Sequence, residues 1–89
     1  MIDTMYYTYV LRSKKDNNLY TGHTDNLKRR LSMHNSGKVK STCHRRPFEL
    51  IYYELSPTRS EAMRKEKTLK TAWGKKKLKS SLKDIIAPR

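Results

Sequence analysis

Residues 20–38 read YTGHTDNLKRRLSMHNSGK, and the change of pattern inside this stretch decides the fold. Leu19–Gly22 (LYTG) suits a short strand. Thr24 or Asp25 then offers a side-chain oxygen to cap a helix, and Gly37 supplies the residue type that ends one. Between them, as far as about Asn35, Leu27 and Leu31 recur at i and i+4 as the stripe of an amphipathic helix. At about 100° per residue, with Leu27 at zero, Arg30 falls near ~300° and His34 near ~340°. Both therefore flank the leucines instead of facing bulk water, whereas Lys28 and Arg29 point elsewhere as solvated surface.

Upstream, Met5–Arg12 (MYYTYVLR) is aromatic and β-branched, and Ser13–Asn18 (SKKDNN) is turn chemistry. Together with Leu19–Gly22 they predict a hairpin. Strand parity puts Tyr7, Tyr9 and Leu11 on one face and Tyr20 with Gly22 on one face. If those faces pair, Tyr9 lies near Tyr20, and Gly22 leaves space beside them. Such tyrosines either pack or act. Downstream, Ser36–Pro47 reads as a basic loop and Phe48–Leu55 (FELIYYEL) as a third strand. Thr58 and Glu61 form a capping box that opens a second helix, which should run to about Trp73 and break at Gly74. A last helix, Lys75–Ile86, carries Leu78, Leu82, Ile85 and Ile86 on one side. The order β-β-α-β-α-α predicts an α+β fold, a three-stranded, mainly antiparallel sheet flanked by helices. Residues 1–89 read as one domain, with a core of about 5–73 and a basic C-terminal helix at 75–86.

The second helix contains an anomaly. With Ala62 at zero, Glu66 falls near ~40°, between Leu69 and Trp73. A carboxylate on an apolar face must be paired or bind a cation. Arg30, or Lys70 at i+4, could pair with it, and a metal ion is the other solution.

Composition limits the classes of function. The 89 residues include 21 Lys plus Arg against 8 Asp plus Glu, a net charge of +13. That excess favours a polyanionic partner, nucleic acid before anionic membrane. No run is long and apolar enough to span a bilayer, and no signal-peptide pattern opens the chain. Cys43 is the lone cysteine, which excludes an internal disulfide and fits a reduced compartment, so a cytoplasmic location is expected. Leu, Ile, Val and Phe number only 16 of the 89 residues, so the six Tyr, one Trp and four Met must supply much of the core. No C-x-x-C or H-x-x-x-H spacing supports a zinc site among Cys43, His44, His23 and His34. No feature marks a dimer interface or a protein partner.

Taken together, Tyr7-Thr8-Tyr9, Tyr20-Thr21-Gly22, Arg30, His34 and Glu66 resemble the GIY-YIG nuclease domain, in particular its small stand-alone bacterial members. RPFELIYYE and SEAMRKEKTLK continue the resemblance, which spans about Met5 to Trp73. It implies that Tyr9, Tyr20, Arg30, His34 and Glu66 are the catalytic set, that Gly22 is the structural motif glycine, and that Glu66 binds Mg²⁺ or Mn²⁺. Tyr7, Thr8 and Thr21 depart from the family's Gly, Ile and Ile without touching reactive groups. His23 stands where the excision-repair nuclease has a lysine. The asparagine that many active members carry after the glutamate helix is absent, since Asn35 is the last in the chain.

The implied activity is metal-dependent hydrolysis of phosphodiester bonds, with DNA favoured over RNA and structured or single-stranded DNA as substrate. In it Arg30 would meet the phosphate, Tyr20 would act as general base, and Tyr9 would orient water or a phosphate oxygen. His34 could accept a proton, orient Tyr20 or pack. The alternative is a nucleic-acid-binding module that has kept the fold without catalysis. In either case His23, Lys38, Lys40, Arg45, Arg46, Lys70, Lys75, Lys76 and Lys77 are the expected nucleic-acid contacts, binding phosphate without reading sequence.

Overall fold

A computed structural model describes residues 5–71. Three strands form one antiparallel sheet: β1 (Tyr6–Ser13), β2 (Leu19–Thr24) and β3 (Phe48–Ser56), in the order β2-β1-β3. Two α-helices accompany it, α1 (Leu27–Asn35) and α2 (Arg59–Lys70), with a 3-10 turn at Cys43–Arg45. The α+β architecture and the hairpin agree with the sequence pattern. The last helix expected at 75–86, Trp73 and Gly74 lie outside the described residues.

The turn chemistry is local. Ser13 Oγ accepts the backbone N–H groups of Lys15 and Asp16, and Asn17 takes a positive φ of 64°. The cap of α1 is Asn26, which accepts from Arg29 N, rather than Thr24 or Asp25. Thr24 is buried on the sheet, and its hydroxyl accepts from Asn26 N instead. Gly37 ends α1 as expected, with φ 81°. Its N–H donates to His34 O and that of Lys38 to Met33 O, the paired bonds of a Schellman turn. Thr58 caps α2 through Glu61 N, also as expected. The helix stops at Lys70 because Thr71 leaves helical geometry with ψ 161°.

Register assigns the two faces. Tyr7, Tyr9 and Leu11 of β1 stand opposite Thr24, Gly22 and Tyr20 of β2. On this face the core of Tyr9, Leu11 and Phe48 is covered by Leu27 and Leu31 of α1. Thr8 points the other way, and its hydroxyl donates to Ala62 O of α2 at 2.8 Å. The helices therefore pack on opposite faces of the sheet. Asn35 ties α1 to β3: its amide accepts from Phe48 N (2.7 Å) and donates to Phe48 O (3.1 Å).

Candidate active site

Tyr9, Tyr20, Arg30 and His34 converge on the α1 face. The rings of Tyr9 and Tyr20 lie 6.5 Å apart, and the His34 ring stands edge-on to both, at 5.9 and 5.0 Å. The space expected over Gly22 is filled by tyrosine. A Cβ there would sit 2.6 Å from Tyr9 Oη and 2.8 Å from its Cζ. Only a residue without a side chain lets the Tyr9 ring cross the edge strand at this point.

Donor and acceptor roles fix the protons. Thr42 Oγ1 donates to Val39 O (3.4 Å), so it accepts from His34 Nδ1–H (2.8 Å). His34 Nε2 is then bare and accepts the Tyr9 hydroxyl proton at 3.0 Å. Arg30 has no acceptor, so its Nε donates to Tyr9 Oη at 3.4 Å. A single relay thus runs from Arg30 through Tyr9, His34 and Thr42 to a backbone carbonyl. Tyr9, His34 and Thr42 are buried. Burial lowers the His34 pKa, the Arg30 charge lowers it further, and it falls to about 4. Burial likewise raises the Tyr9 pKa, so the phenol stays protonated although Arg30 pulls the other way. The bond to Tyr9 holds Arg30 in its charged form, with Tyr20 adding to the effect.

Glu66 comes from the opposite face. Its Oε1 lies 2.6 Å from His23 Nδ1, and its Oε2 accepts from Lys70 Nζ at 2.6 Å. Lys70, one of the two partners the sequence allowed, is therefore in place, and Arg30 is engaged with Tyr9. Burial pushes the Glu66 carboxyl up, but the bonds from Lys70 and His23 outweigh it and keep the group ionised, below the usual carboxylate range. The two halves meet along edge strand β2, which presents Tyr20 and Gly22 to one face and His23 to the other. The Glu66 charge also raises the Tyr9 pKa slightly, so the halves share one field.

The basic residues divide. Lys38 and Lys40 are exposed, as a phosphate grip requires. Arg45 instead pairs with Asp16 at 2.8 Å and lies over the Phe48 ring. Arg46 donates to Cys43 O and packs against the Gly37 turn. His23 and Lys70 are held by Glu66. Lys75, Lys76 and Lys77 lie outside the described residues. Among the described residues no group of three or more His, Cys, Asp or Glu could enclose a metal.

Sequence reasoning missed Thr42, which gave no signal: it is one threonine in a basic loop, and only the return of that loop to α1 places it on His34. His23, expected as a nucleic-acid contact, is bonded to Glu66, and the signal for that pairing was parity, which puts it on the face opposite Tyr20, where α2 docks.

A three-stranded sheet presenting two tyrosines, an arginine and a histidine on one helix-covered face, with a carboxylate at its edge, is joined by a family match that places the chain in a nuclease-type class. Residues 5–79 match the GIY-YIG catalytic domain, and the chain belongs to that family. It is similar to UPF0213 proteins of bacteria. That of Staphylococcus haemolyticus is 47% identical over 75 residues, 83% of this chain and 90% of the relative. That of Bacillus pumilus is 49% identical over 73 residues, 81% of this chain and 72% of the relative. The solution NMR structure of a UPF0213 protein from Bacillus halodurans is similar with a TM-score of 0.53 and 36% identity, covering 94% of this chain and 88% of that one. Among the described residues no helix is long and apolar enough to cross a membrane.

Proposed function

We propose that this protein is a divalent-metal-dependent nuclease that hydrolyses phosphodiester bonds in DNA, with unpaired or structured DNA as substrate. The observation that carries the reading is the buried relay from Arg30 to Thr42, which fixes a fully charged guanidinium beside Tyr20. A rigid cationic fork is what a phosphate gaining negative charge requires.

Tyr9 is buried and its hydroxyl is committed at both ends, so it works through Arg30: it is a positioning residue. His34 orients Tyr9 and carries no proton in turnover. Tyr20 is half-buried beside Arg30 and takes the proton from the attacking water. Glu66 fits a divalent cation that keeps most of its waters, because it is ionised and its Oε2 partner is an exposed lysine on a flexible stem. Glu66 would hold such an ion, which would supply Lewis-acid polarisation of the phosphate and the leaving oxygen. His23 would retain Oε1 and keep the carboxylate aimed.

A second reading, binding without cleavage, is favoured by one observation: both Glu66 oxygens already have side-chain partners, His23 on Oε1 and Lys70 on Oε2. Cleavage of DNA and RNA panels with Mg²⁺ or Mn²⁺ separates the two. The nuclease reading expects cutting that needs the metal and is lost in Glu66→Ala and Arg30→Ala. Binding without cutting, indifferent to Glu66→Ala, overturns it.

A further inference from the structure

On the same sheet face as Tyr9 and Tyr20 lies an open groove of about 640 Å³ that the proposed chemistry leaves unused. Tyr7, Tyr53, Leu27 and Leu31 form its walls, with Asp25 and Lys28 at its mouth. We propose that this groove is a stacking subsite for one unpaired base of the bound strand, with Tyr53 as its platform; the assignment rests on the nucleic-acid reading of the neighbouring site.

Three observations lead to a base. Tyr53 is 50% exposed, unusual for a strand tyrosine whose face is covered elsewhere by a helix. The Tyr7 ring leans on it, with centroids 5.9 Å apart and planes at 58°. One side of Tyr53 is thereby braced while the other stays open, as a stacking platform needs. Tyr53 also stands directly opposite Tyr9 in the β1–β3 register, one strand over on the same face. Neighbouring strands lie about 5 Å apart, so the backbone of Tyr53 on β3 is about 10 Å from that of β2, which carries Tyr20, within the span of a bound strand.

Charge selects the occupant. On a chain of net charge +13 a polyanion is favoured over an apolar peptide or a second cationic copy. Lys28, exposed in the first turn of α1, can meet the phosphate attached to the stacked base, and the Asp25 carboxylate can accept from a base amino group. A base inside a duplex has both faces covered, so a platform of this kind receives an unpaired nucleotide. Arg30 is carried by α1, the helix whose Leu27 and Leu31 also line the groove.

The test is equilibrium binding in chelator, without cleavage, of a labelled single-stranded DNA oligonucleotide and of the same oligonucleotide with abasic positions. Wild type, Tyr53→Phe and Tyr53→Ala are compared, with thermal melts as a check on folding and light scattering for oligomeric state. Tyr53→Ala should weaken binding of the intact strand about fivefold to a hundredfold, the range for one lost base–aromatic stack. Tyr53→Phe should bind like wild type, and the abasic strand should not distinguish the three proteins. Equal binding of the intact strand by wild type and Tyr53→Ala overturns the subsite; if Glu66→Ala still abolishes cleavage, the nuclease reading stands without it. Equal weakening on intact and abasic strands overturns it too, because Tyr53 would then act on the backbone or the fold. Concentration-dependent dimers that Tyr53→Ala abolishes would assign the groove to a second copy. Wild type that binds no oligonucleotide overturns the subsite and the function together.

Discussion

His34 should make the protein acid-labile in a window set by histidine and not by the carboxylates. In the unfolded chain an imidazole charges near pH ~6.5. In the folded protein burial first, and the Arg30 charge second, lower that pKa to about 4. Between these values the unfolded chain binds a proton that the folded protein refuses, so stability rises with pH across the window and falls as the solution is acidified. The contribution is complete above pH ~6.5 and gone below ~4. At about 1.4 kcal/mol per pH unit the separation is worth roughly 3 kcal/mol, a large share of a small domain's stability. Asp16 and Glu66 also have depressed pKa values, Asp16 at about 2, but these carboxylates lose their contribution only below the ordinary carboxylate range, at lower pH. Urea unfolding of wild type and His34→Gln at steps between pH ~7.5 and ~4.5 reads the effect. The variant is less stable throughout, so the slope against pH is the quantity compared, and it should be shallower in the variant. Imidazole nitrogen shifts should show a neutral ring with its proton on Nδ1 down to about pH 5. A ring that charges near pH ~6.5, or equal slopes in the two proteins, would refute the relay as drawn.

Gly22→Ala should drive the Tyr9 hydroxyl off His34 and Arg30, because the new Cβ would lie 2.6 Å from it. A loss of about 1–3 kcal/mol in denaturant unfolding is expected, with cleavage reduced more than DNA binding. Thr42→Val leaves the His34 Nδ1–H without its acceptor and should cost about 1–3 kcal/mol, which Thr42→Ser should largely restore. Asn35→Ala removes both bonds to Phe48 and should destabilise the start of β3, seen as faster amide exchange there, by about 1–2 kcal/mol overall. Nucleic-acid binding should weaken steeply with salt, and Lys38→Ala or Lys40→Ala should flatten that slope, whereas Arg45→Ala should act mainly on stability because Arg45 already pairs with Asp16.

Much of the scaffold was legible locally. The alternation of Tyr7, Tyr9 and Leu11, the turn at Ser13–Asn18, Gly37 and the Thr58 cap each follow from chemistry within a few residues. They gave the sheet, both helices and their approximate ends. The α1 cap shifted from Thr24 or Asp25 to Asn26 because Thr24 was taken by the sheet, a competition that helix signals alone do not resolve. Helical phase also placed Arg30 and His34 beside the leucines and Glu66 on an inward face. Residue type and phase say nothing about which partner arrives from far along the chain. The Glu66 carboxylate was recognised as needing a cation, but Lys70 was one option among several and His23 was read as a phosphate contact. Arg45 and Arg46 looked like part of the basic surface and are tied instead to Asp16 and to the loop backbone.

The elements, the faces and the chemical inventory are thus written along the chain: a strongly cationic α+β domain with two tyrosines, an arginine, a histidine and a lone inward carboxylate. Those properties follow from periodicity and charge, which are summed along the chain. Tertiary structure alone decided how the inventory is used. It buried Tyr9 and His34 and, by returning Thr42 to the His34 ring, fixed where their protons lie. It also set Glu66 across the sheet from Arg30, meeting it only at the β2 edge. Proton position and pKa depend on burial and on contacts between distant segments, and those exist only once the chain has folded.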